Sequence, residues 1–148
     1  MGQQTYVFGA DLVGHGGVQR TIAAREDLTL VDLHYALQSA FGWDDDHLFA
    51  FWLRSGFWGA DGEHYVHPHH ATTSDRLGRS ACVRLGELGL ARGQQLSYVF
   101  DFAREWRVAL TVTGLVADAG GPSPRLLASA GAAPAQYPAL VAALGAVR

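Results

Sequence analysis

The stretch FGWDDDHLFAFWL, Phe41 to Leu53, places a glycine, a tryptophan, three aspartates and a histidine between two apolar runs. It can be read as an acidic site or as the turn between a helix and a buried strand. The residues before it favour the turn. Thr29 is a helix N-cap, and Asp32 three positions later completes a capping box with Asp in place of Glu. Leu30, Leu33, Leu37, Ala40 and Phe41 then fall on one helical face. Gly42 suits the left-handed residue that ends a helix, and Trp43 is expected to fold back onto Leu37. After the aspartates, HLFAFWLR is apolar on both faces, as in a strand covered on both sides. Neighbouring side chains in a turn diverge, so Asp44, Asp45 and Asp46 do not converge on one ion by themselves. The expectation is a solvated turn in which one aspartate binds local amides, with a functional role for Asp44 or His47 as the alternative.

Working outward, TYVFGADLV alternates with Tyr6, Phe8, Ala10 and Leu12 on one side, and GHGG turns the chain into a second strand, VQRTIAA. Residues 59–81 read as a long polar connection that includes a short strand, and VRLGELGLARG as a brief helical turn. Two further strands carry Leu96, Tyr98, Phe100 and Phe102 on one face and Trp106, Val108, Leu110 and Val112 on another. The segment 117–148 reads as Gly-, Pro- and Ala-rich chain ending in a helix over AQYPALVAALGAVR. The expected fold is α+β: a mostly antiparallel sheet of about five to six strands, one main helix on a face, and a C-terminal helix.

The chain of 148 residues is 49% apolar and 17% charged, which fits one globular domain. A net charge of −3 with scattered arginines lacks the footprint of a duplex-binding surface. One cysteine, Cys82, excludes an internal disulfide and a Cys-rich zinc site. No apolar run reaches membrane-spanning length, and residues 1–12 lack a signal-peptide pattern, so a cytoplasmic monomer or homodimer is expected.

Four of the seven histidines, His64, His67, His69 and His70, lie in EHYVHPHH, where zinc or nickel is the ion to consider. That segment lies in a polar loop with no scaffold for tetrahedral geometry, so no cofactor is expected. His34 falls on the apolar helix face, as a hydrogen-bonded core residue or a pocket-lining one. Asp101 has three possible roles: capping a turn, pairing with Arg107, or facing a cleft. No nucleophile elbow, Walker loop or dinucleotide fingerprint occurs.

TLVDLHYALQSAFGWDDDHLFAF and YVFDFAREW together resemble the plasmid pRi "ORF three"-like family, also labelled insertion-element passenger proteins. Thr29, Leu30, Asp32, Leu33, His34, Leu37, Gln38, Gly42, Trp43, His47, Leu48 and Phe51 match its first signature. Tyr98, Phe100, Asp101, Phe102 and Trp106 match the second, and Arg20 sits where members carry an arginine. The resemblance covers residues 5–116 and implies a helix packed against an antiparallel sheet. The family's Gly-Asp-x-Trp turn is here Ala103-Arg104-Glu105-Trp106, and its C-terminal cysteines are absent.

No established activity comes with the resemblance. The leading expectation is a non-catalytic module that binds a protein or a small ligand in a cleft lined by His34, Trp43, His47, Asp101 and Trp106, with Arg20 as a further candidate. The first alternative is a metal-dependent or acid–base hydrolase using His34, Asp44, His47 and Asp101. The second is a nucleic-acid-associated accessory protein, which the negative charge disfavours.

Overall fold

The computed structural model describes residues 3–58, 64–71, 79–118 and 120–136. It overturns the expected α+β layout of five to six strands and two helices. Among the described residues the chain is mainly sheet, with eight strands and one helix longer than a single turn. In chain order these are β1 (Gln4–Leu12), β2 (Gln19–Arg25), α1 (Leu30–Phe41), β3 (Phe49–Trp52), β4 (His64–Val66), the four-residue α2 (Pro68–Ala71), β5 (Arg79–Ser80), β6 (Gln95–Phe100), β7 (Trp106–Ala117) and β8 (Arg125–Ala130). A short 3₁₀ turn at Leu85–Glu87 matches the helical turn expected there. The strand order is β5-β4-β3-β6-β7-β1-β2-β8, antiparallel except for the β4–β5 pair. The extra strands came from segments without an apolar pattern: the polar connection holds two strands where one short strand was expected, and the Gly- and Ala-rich tail supplies β8. The expected terminal helix falls on 135–148, outside the described residues but for Ala135 and Gln136, which are not helical.

The start of α1 forms as its sequence specifies. Asp32 N donates to Thr29 Oγ1 at 3.2 Å and Thr29 N to Asp32 Oδ2 at 2.8 Å, so both halves of the capping box are present. Two further amides at this end, Leu30 N and Val31 N, donate to the carbonyls of Val83 and Ala81. These four bonds satisfy the donors that a helix start leaves open and pin it to the segment after β5. The other end closes on Gly42, left-handed at φ 75°, and Trp43 N returns to Gln38 O at 2.9 Å.

Leu30, Leu33, Leu37 and Phe41 of α1 share one core with Phe8 of β1, Ile22 of β2, Phe51 of β3, Leu96 of β6 and Leu110 of β7. Strand β3 is buried on both faces, as its continuous apolar sequence requires. Phe49 and Phe51 join this core, while Ala50 and Trp52 join a second cluster with Val66 and Val99, covered by Phe57, Trp58 and Phe102. Phe102 thus departs from the face expected for it. Asp101 takes φ 63°, which ends β6 and breaks the two-residue alternation, so the next side chain lands on the opposite side of the sheet.

Candidate functional site

The helix end, the acidic turn and the β6–β7 turn meet at one place, and the polar residues there form two histidine–carboxylate pairs. In the first the imidazole is sealed. His34 is 1% exposed, and its ring stacks on Phe49 with centroids 3.8 Å apart. Its Nε2 lies 2.7 Å from Asp45 Oδ1 and its Nδ1 2.7 Å from the Tyr98 hydroxyl. Gln38, one turn further along α1, donates Nε2–H to the same hydroxyl at 2.9 Å. The proton order follows from the groups themselves. A carboxylate only accepts, so Nε2 carries the imidazole proton; neutral Nδ1 then accepts from the Tyr98 O–H, whose oxygen accepts from Gln38. Every link is satisfied with a neutral ring. Burial, the largest influence, lowers the His34 pKa below its ordinary 6.5, and His67 lowers it further, while Asp45 opposes both by hydrogen bond and charge. Burial also raises the Tyr98 pKa well above 10.0, against the hydrogen bond from Gln38.

The second pair is open. His47 Nε2 lies 3.5 Å from Asp101 Oδ2 and 3.7 Å from Asp46 Oδ1. Asp101 is buried, and its other oxygen accepts from Ala103 N at 3.2 Å and Arg104 N at 3.3 Å. It therefore caps the β6–β7 turn and faces His47, while Arg107 pairs with Glu105 at 2.6 Å instead. That contact, with the Trp58 indole N–H, holds the Glu105 carboxyl below its usual range. Asp46 accepts from Gln136 Nε2 at 2.9 Å, and Gln136 Oε1 accepts from Asp44 N at 2.6 Å, so residue 136 braces the acidic turn. The turn expected here is present. Asp45, however, is bonded to a core histidine rather than to local amides.

A groove of about 500 Å³ opens beside this turn. Asp45, Asp46, His47, Leu48, Phe49, His67 and His69 line it. His67 and His69 stack with centroids 5.0 Å apart, and His69 N donates to His67 Nδ1 at 3.2 Å. His64 is elsewhere: its ring stacks on Trp52, which belongs to the second cluster on the far side of β3. Among the described residues no group of three or more His, Cys, Asp or Glu side chains is placed to hold a metal ion.

The remaining candidates do not line the groove. Trp43 is buried against Phe41, Phe100 and Trp106, with centroids at 5.0, 5.5 and 5.8 Å. The indole nitrogens of Trp43 and Trp106 are buried with no hydrogen-bond partner, as is Gln38 Oε1. Arg20 is buried on β2, where Nε donates to Ala40 O at 2.9 Å and Nη1 to Gln19 O, Ala130 O and Gly131 O. It ties the end of α1 to β8. The hydrolase expectation grouped His34, Asp44, His47 and Asp101; the structure pairs His34 with Asp45 and His47 with Asp101. Sequence reasoning missed Asp45, Tyr98, Gln38 and Gln136. A signal for Gln38 was present, because it sits four residues after His34 on the buried helix face.

The family model described as plasmid pRiA4b ORF-3-like protein matches residues 12–137, starting and ending later than the 5–116 span of the sequence resemblance. A crystal structure of a protein of unknown function from Methanosarcina mazei Go1 superposes with a TM-score of 0.73 at 22% identity, covering 90% of this chain and 72% of that one. At that identity the likeness concerns the fold. No curated protein matches the chain. Among the described residues no helix is long and apolar enough to cross a membrane.

Proposed function

This chain belongs to the plasmid pRiA4b ORF-3-like family, and we propose that it is a non-catalytic binding module whose groove receives a positively charged group of a small ligand or protein partner. The groove of about 500 Å³ beside Asp45, Asp46 and His47 carries this reading. Two carboxylates, with the apolar Leu48 and Phe49 in the same lining, favour a cation with a short aliphatic or aromatic stem. The same carboxylates repel a phosphate backbone, which argues against the nucleic-acid alternative. His34 is sealed behind Asp45 and has no direct path to a ligand.

Arginine methyl ester is a suitable probe, since it offers a guanidinium and an amine without a carboxylate. Titration followed by NMR at the His47, His67 and His69 imidazoles is expected to give a saturable shift that is lost in Asp45→Asn/Asp46→Asn. No shift at millimolar probe, or one unchanged in the double variant, contradicts the reading.

The open approach of His47 to Asp101 at 3.5 Å favours a second reading, acid–base hydrolysis with His47 as the proton-transfer group. Hydrolysis of p-nitrophenyl acetate separates the two. Equal rates for the wild type and His47→Ala agree with binding alone, whereas a loss of about a hundredfold in the variant establishes catalysis.

A further inference from the structure

We propose that β8 is the pairing edge of a homodimer, in which two copies join antiparallel through this strand and continue the sheet across a two-fold axis. The two ends of the sheet differ. At one end β5 has only two residues, a short form that discourages edge-to-edge pairing. At the other end β8 has six, all exposed, and its outer side has no strand partner among the described residues. No proline, lysine or acid interrupts it, and its one charge, Arg125, stands at its start.

Exposed apolar side chains gather at this edge and open a furrow on each face. Leu126 borders one of about 240 Å³ with Tyr35 and Ala36 of α1. Leu127 borders the other, about 120 Å³, with Val7 and Val116. An added strand would set alternate side chains into both, the arrangement that strand addition uses for specificity.

The register of β8 points to a second copy as the occupant. Leu126 lies opposite Ile22 and Ala128 opposite Thr21, so Leu127 is an extra, bulged residue. Leu126 and Ser129 face Ile22 and Arg20, both buried on the core side of β2; Arg125 and Ala128 face Ala23 and Thr21 on the other side. Without the bulge, Leu126 and Ser129 would fall on opposite faces. With it, an axis between Leu127 and Ala128 sets Leu126 against Ser129, Leu127 against Ala128 and Arg125 against Ala130. Each pair shares a face, each matches a large side chain with a small one, and the two arginines lie at opposite ends. The strand is its own complement. A ribbon of this length buries less than a permanent dimer does, so a reversible dimer in the micromolar range is expected.

Sedimentation velocity on the full chain from about 1 to 500 μM, with hydrogen exchange at the same concentrations, tests the proposal. The expected result is a concentration-dependent dimer with slower exchange across residues 125–130. Leu127→Lys should weaken dimerisation by about tenfold or more through lost apolar contact and added like charge, while Val13→Lys, also at an exposed apolar position, leaves it unchanged. Should Leu127→Lys fail to fold by circular dichroism, Ala128→Lys makes the same test without removing a large side chain. A monomer throughout overturns the proposal, including one whose β8 amides are protected at every concentration. So does a dimer that survives both lysine variants.

Discussion

The two histidine–carboxylate pairs are built in opposite senses. In the first the imidazole is 1% exposed and its carboxylate, Asp45, 44%; in the second the imidazole is 39% exposed and its carboxylate, Asp101, 5%. Which partner is buried decides what the pair does. A buried imidazole between a phenol and a carboxylate is fixed in one tautomer and links helix to sheet. A buried carboxylate that already caps a turn holds an exposed imidazole toward solvent at a looser 3.5 Å. The first pair keeps its imidazole inside the fold, and the second presents its imidazole at the groove.

Substitutions break this contrast unevenly. The largest effect is expected at Tyr98. Tyr98→Phe leaves His34 Nδ1 and Gln38 Nε2 buried without their shared partner, a loss of about 2–4 kcal/mol in urea unfolding. Asp101→Ala removes two amide caps and is expected to cost about 1–2 kcal/mol in the same assay. His47→Ala should stay within about 0.5 kcal/mol, because the ring is exposed at the surface. If His47→Ala costs as much as Tyr98→Phe, the contrast between the pairs fails.

Acidity sharpens the same comparison with a smaller effect. Burial depresses the folded-state pKa of His34 below 6.5, so the unfolded chain takes up its proton first as pH falls. The stabilising contribution of His34 is therefore fully present above about pH 6.5. It is lost on acidification through the interval down to the depressed folded value, by at most about 1.4 kcal/mol per pH unit. Asp45→Asn removes the two influences that hold this pKa up, and an NMR titration should find the His34 midpoint lower still.

Much of this was legible from the chain alone. Thr29 and Asp32 announced the capping box, Gly42 the left-handed stop, and the unbroken apolar run after His47 a strand covered on both faces. These are local rules in which one residue type meets one backbone need. What was not legible depends on distant partners. Strand β8 has neither alternation nor burial, and it forms because β2 offers it an edge and Arg20 binds the carbonyls of Ala130 and Gly131. The link from His34 to Tyr98 joins residues 64 apart, and no spacing rule reaches across that distance. Asp45 was one of three adjacent aspartates, and only the fold chose it.

The account rests on His34 being a neutral, fully bonded link rather than a proton donor to the groove. A long-range ¹⁵N–¹H correlation spectrum of the histidine rings reads this directly. At pH 6.5, the ordinary histidine midpoint, the predicted pattern for His34 is a neutral ring with its proton on Nε2. An imidazolium pattern, or a proton on Nδ1, at that pH would contradict it.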